Sequence, residues 1–112
     1  MLSNELTKGT LKTIILKLLA EEHKMYGYEI SQHVKQLSEG KLVLTEGALY
    51  PTLHKLEAAG LVRAQEKLVG KRTRKYYLLT AKGKKANVSK IAEFQEFIQT
   101  MQLILQPKTG KA

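Results

Sequence analysis

Along the first half of the chain, apolar residues return at helical rather than strand spacing. Leu11, Ile14, Ile15, Leu18 and Leu19 form one face, which predicts an amphipathic helix from about Asn4 to Glu21. After a turn at His23 to Tyr26, Ile30, Val34 and Leu37 repeat at i, i+4 and i+7 and predict a second helix, ended by Ser38-Glu39-Gly40. Leu49, Leu53 and Leu56 predict a third of similar length, with Thr45 placed to cap its start and Gly60 to end it. The pattern then changes. Leu61 to Leu68 and Arg74 to Leu79 read as two short strands joined by a basic loop around Gly70, a hairpin with a charged tip. From Thr80 onward it is helical again, over a length of nearly 40 Å at about 1.5 Å per residue, too long to bury against so small a body. There Ile91, Phe94, Ile98, Met101 and Leu105 alternate steps of three and four, the seam of a helix that packs against another helix.

These elements predict a mainly α fold with a small β-hairpin (α+β), a winged helix-turn-helix followed by a long C-terminal dimerisation helix. The expected boundaries are residues 1–79 for the winged helix-turn-helix domain, 80–106 for the C-terminal dimerisation helix and 107–112 for a disordered tail. A chain of 112 residues buries a limited core, which favours association with a second copy.

The third helix carries the first functional signal. It begins Thr-Glu-Gly and runs through Pro51, so it tolerates two helix-unfriendly residues near its start. At 100° per residue, Leu49, Leu53 and Leu56 share one side; Gly47, Tyr50, Pro51, His54 and Ala58 share the other, with Lys55 at the flank. A glycine and an alanine on that face leave room for a large partner, and Tyr50, His54 and Lys55 can contact bases or phosphates. Free N–H groups at the helix start, near Thr45, also suit a phosphate.

Charge agrees with this reading. The net charge is +9, and residues 61–90 hold ten Lys and Arg against the single acid Glu66, while the rest of the chain has nine of each sign. The whole excess lies in the hairpin and the start of the last helix, as an electrostatic footprint for a polyanion would. The third helix would then enter the major groove, and Gly70-Lys71-Arg72-Thr73-Arg74-Lys75 would be the wing that reaches a phosphate or the minor groove.

Other chemistries find little support. There is no cysteine and no aspartate, and His23, His33 and His54 have no ligand spacing, so no catalytic centre, metal site or cofactor is expected. The glycine-containing stretches lack the phosphate-binding GxxxxGK[ST] pattern. The start of the chain resembles neither a signal peptide nor a spanning segment, and a cytoplasmic protein without a membrane partner is expected. Lys82, Lys84, Lys85 and Lys90 lie at one end of the last helix and its apolar seam at the other, which argues against a membrane-surface helix. A competing reading keeps the winged fold but docks a protein or structured RNA; it calls for an apolar patch on the third helix, where the sequence offers only Tyr50 and Pro51.

Three segments, MYGYEI, LTEGALYPTLHKLEAAGLV and GKRTRKYYLLTAKG, taken together at these spacings closely resemble the PadR family of bacterial transcriptional regulators, over roughly residues 9–85. The resemblance implies a winged-helix DNA-binding domain, a homodimer built on the C-terminal helix, and repressor activity at a pseudo-palindromic operator. With one helix after the wing, it implies the short-tailed subgroup. By the same resemblance Tyr50 and Lys55 belong to the recognition helix, Arg72, Arg74 and Lys75 to the wing, and Tyr26 to a phosphate contact, while Tyr76 and Tyr77 pack. The candidate DNA-binding set is thus Tyr26, Thr45, Gly47, Tyr50, His54, Lys55, Lys71, Arg72, Thr73, Arg74 and Lys75. Some relatives bind flat aromatic compounds between their dimerisation helices, so a small apolar or aromatic effector is a candidate partner. Its expected lining is Leu11, Ile14, Ile15, Phe94 and Ile98.

Overall fold

The structure, a computed structural model, describes residues 2–108. In chain order the elements are α1 (Asn4–Lys8), α2 (Leu11–Glu22), β1 (Lys24–Tyr26), α3 (Gly27–Leu37), α4 (Glu46–Ala58), β2 (Val62–Val69), β3 (Arg72–Leu79) and α5 (Ala81–Leu105). This is a winged helix-turn-helix with a long C-terminal helix, an α+β arrangement. The predicted tail lies outside the described residues from 109 on.

Burial of one face of each helix explains the body. Ile15, Leu16, Leu18 and Leu19 of α2 meet Ile30 and Val34 of α3 and Leu49, Leu53 and Leu56 of α4, beneath a sheet that contributes Met25, Val62, Tyr77 and Leu79. At roughly 1.5–3 kcal/mol for each fully buried large apolar side chain, this cluster is the main favourable term in folding. The sheet order is β1-β3-β2, antiparallel throughout, with Met25 opposite Tyr77 and Val62 opposite Leu79.

The first helix of the sequence reading is two. Gly9 closes α1, and the Thr10 hydroxyl donates to the Thr7 carbonyl at 2.8 Å before α2 restarts. The turn at His23 to Tyr26 is also corrected. His23 closes α2 at φ 67°, and the next three residues form β1, which turns the predicted hairpin into a three-stranded sheet. The wing is tighter than predicted. Val69 pairs with Arg72, so only Gly70 and Lys71 form the turn, and Arg72, Thr73, Arg74 and Lys75 lie on β3. Gly70 alone takes a positive φ there (63°), the pattern of a hairpin turn that puts glycine first.

α4 ends as predicted. Gly60 has φ 76°, its N–H donates to Glu57, and the Leu61 N–H donates to Leu56 at 2.9 Å, the paired bonds of a Schellman motif. The chain end of α4 is also bound to the start of α5. The Thr80 hydroxyl donates to the Gly60 carbonyl at 2.6 Å and accepts from Gly83 N–H, and Lys82 Nζ donates to the Ala59 carbonyl at 3.0 Å.

α5 packs its first half on α2 and carries its second half away from the body, giving the molecule a long axis of 67 Å. Ile91 and Phe94 are half-buried, whereas Phe97, Ile98, Leu103, Ile104 and Leu105 are exposed. The expected effector lining divides accordingly. Leu11 and Ile15 are buried in the winged-helix core, at 4% and 0% exposure. Of the five predicted residues, Ile14 and Phe94 do share a groove of about 300 Å³, with Leu2, Leu6 and Leu42; Ile98 lies beyond it.

Candidate nucleic-acid interface

The outward side of α4 is a ridge between two grooves. Thr45 caps the helix, its hydroxyl accepting from Ala48 N–H at 3.2 Å, and an acidic residue, Glu46, sits in the first turn. Gly47, Pro51, His54 and Lys55 are exposed along the ridge. On one side a groove of about 310 Å³ runs between α1 and α4, bordered by Lys8, Thr45, Gly47, Pro51 and Lys55. On the other a groove of about 330 Å³ joins α4 to the wing and the start of α3, bordered by Tyr26, Gly27, Tyr50, His54, Thr73, Arg74 and Lys75.

Gly47 is informative because the chain itself does not need it. A Cβ there would meet only the Thr45 hydroxyl, at 3.9 Å. Tyr50 behaves differently from the helical projection. Its hydroxyl end leans across Gly27 so closely that a Cβ at Gly27 would overlap it, and its ring forms the wall between α4 and α3. Gly27 thus makes room for Tyr50 and lines the groove, a placement signalled in the sequence only by the small residue inside YGY.

On the wing, alternation along β3 sends Thr73, Lys75, Tyr77 and Leu79 to one face and Arg72, Arg74, Tyr76 and Leu78 to the other. Lys75 turns toward α4, 4.0 Å from Glu57 and 5.6 Å from the centroid of Tyr77, and stays about half exposed. Burial pushes the Tyr77 phenol above its ordinary range, and Lys75 opposes that rise. Lys71 is at the turn tip and Arg72 is exposed beside it. Arg74 is half-buried, with its guanidinium 4.1 Å from the Tyr26 ring centroid; hydrogen bonding with Tyr76, then Tyr26 and Glu29, favour its charged form.

Among the described residues no three His, Cys, Asp or Glu side chains cluster as metal ligands, and no helix is long and apolar enough to cross a membrane. Residues 15–88 match the transcriptional regulator PadR-like family. The chain belongs to that family. PadR-like proteins are transcriptional regulators, not enzymes. The chain is 31% identical over 109 residues to an uncharacterised protein of Lysinibacillus sphaericus, covering 95% of this chain and 97% of that one. It is 36% identical over 67 residues to the transcriptional regulator Rv3488 of Mycobacterium tuberculosis, 60% of each chain. A transcriptional regulator from Clostridium thermocellum superposes with a TM-score of 0.85 at 28% identity, over 95% of this chain and all of that one. Bacillus subtilis PadR, solved in complex with operator DNA, superposes with a TM-score of 0.66 at 28% identity, over 72% of this chain and 46% of that PadR.

Proposed function

We propose that this PadR-like regulator is a dimeric, sequence-specific repressor that sets α4 in the major groove of a pseudo-palindromic operator and rests its wing on the flanking phosphates or minor groove. The observation that carries this reading is the α4 ridge, cleared at Gly47, with Lys55 on one side and Arg74 of the wing across the groove on the other. Thr45, His54, Thr73 and Lys75 border the same grooves, and Lys71 and Arg72 at the exposed wing turn complete the contact set. The operator complex of Bacillus subtilis PadR supports the class of partner.

The dimer is supported by the far half of α5, whose Phe97, Ile98, Leu103, Ile104 and Leu105 are left exposed by the described residues. In the proposed dimer Ile98, Met101 and Leu105 form the seam, while Ile91 and Phe94 remain on α2. An apolar or aromatic effector entering beside Ile14 and Phe94 would shift α5 against the body and so change the separation of the two α4 helices.

Replacing Lys55 or Arg72 by Ala tests the assignment of these faces. Each change weakens binding to every duplex and lowers the slope of log affinity against log salt by about 1, since each removes one phosphate contact. Fluorescence anisotropy across a salt series reads both quantities. Two variants with unchanged affinity and slope would remove these faces from the interface.

A further inference from the structure

The outer face of the sheet holds a side-chain stack that the contacts of α4 do not require. Tyr26 lies opposite Tyr76 in the β1–β3 register, and β1 stops there, so beyond Tyr76 the β1 side of β3 is open. Arg74 folds back over that gap, its guanidinium 4.1 Å from the Tyr26 ring centroid. The ring beneath is held on several sides. It meets Tyr76 edge-on with centroids 5.5 Å apart, Tyr28 stacks at 6.4 Å, and the Tyr26 N–H donates to the Glu29 carboxylate at 3.1 Å. Lys24, 5.4 Å from the Tyr76 centroid, adds a second cation to the cluster.

Stacking occupies the face of a guanidinium and leaves its five N–H donors at the edge, of which hydrogen bonding with Tyr76 uses only a part. An arginine on a flexible stem loses much rotamer freedom when it fixes on a partner; one already stacked has lost part of it before the partner arrives. Arg74 borders the same groove as Tyr50 and His54, beside the α4 ridge on which a duplex would sit.

We propose that Tyr26 is a positioning residue for Arg74: its ring fixes the guanidinium plane so that the N–H edge receives a phosphate oxygen of the DNA backbone. The inference rests on the α4 and wing reading above. It replaces the expected direct phosphate contact of the Tyr26 hydroxyl with a role of the ring.

The contact is to phosphate, so a mixed-sequence DNA duplex at low salt is a sufficient probe, read by anisotropy over a salt series. Arg74→Ala is expected to weaken binding about tenfold, the size of one charge-assisted hydrogen bond, and to lower the salt slope by about 1. Tyr26→Phe keeps the ring and binds like the native chain. Tyr26→Leu loses the ring and reproduces the Arg74→Ala loss in both affinity and slope, and the double variant is no weaker than either single one. If Tyr26→Leu misfolds, fluorinated phenylalanines at position 26 drain the ring's negative face without changing its shape, and affinity falls as fluorine is added. A loss on Tyr26→Phe, or additive losses in the double variant, would overturn the positioning role. So would affinity indifferent to fluorination. Arg74→Ala with native affinity and slope would instead remove this part of the wing from the interface, a separate failure.

Discussion

Gly83→Ala destabilises the fold by about 1–3 kcal/mol, although the same change at an open helical position stabilises by up to about 1 kcal/mol. The reason is the close approach of two backbones. Gly83 is buried in the first turn of α5, and a Cβ there would overlap the carbonyl of Leu61, with the Leu79 side chain 3.3 Å away. The carbonyl cannot step aside, because the same segment holds the Schellman bonds of α4 and receives Thr80. The methyl group therefore pushes α5 off the end of α4. Urea unfolding read by circular dichroism gives the sign directly, and a stabilised variant would mean that this junction is loose. In the proposed dimer the consequence reaches function, since Thr80, Lys82 and Gly83 are the rigid link between the DNA-reading helix and the dimerisation helix. The variant should discriminate less between operators with different half-site spacing.

Gly47→Ala has the opposite profile. With no neighbour nearer than 3.9 Å, an alanine here meets open space and raises stability by about 0.5–1 kcal/mol through helix propensity alone. Operator affinity nevertheless falls by about tenfold or more, because the space a methyl group fills is the space through which the duplex approaches the α4 backbone. A stability gain paired with a binding loss separates a surface cleared for a partner from one that is merely unoccupied. Thermal melting and anisotropy on the same preparation measure both, and native affinity in the stabilised variant would show that DNA does not come close to Gly47.

Much of this architecture was legible because Leu49, Leu53 and Leu56, and Ile30 and Val34, repeat at the helical period, and because Thr45 and Gly60 carry strong boundary chemistry. The features that escaped share a cause, since each depends on a neighbour distant in sequence. β1 is three residues long, too short for an alternating pattern, and becomes a strand only by pairing with β3. Arg72 and Thr73 are polar, so nothing in their composition separates strand from loop, and β3 starts two residues earlier than its apolar pattern does. Leu11, Ile14 and Ile15 share one broad apolar face of α2, and only packing reveals that Leu11 and Ile15 enter the core while Ile14 looks toward α5. The lean of Tyr50 over Gly27 likewise needs α3 and α4 in place, although the glycine that permits it was visible in YGYEI.

The central claim, that two copies of α4 read a two-fold operator, is tested most directly by selecting duplexes from a random-sequence library with the full chain and sequencing the bound fraction. The account predicts an enriched inverted repeat with half-site centres one helical turn apart, about 34–36 Å, and loss of that enrichment when Gly47 is replaced by Ala. Recovery of no enriched sequence under conditions where the protein remains folded, or of a single unrepeated half-site, would contradict it.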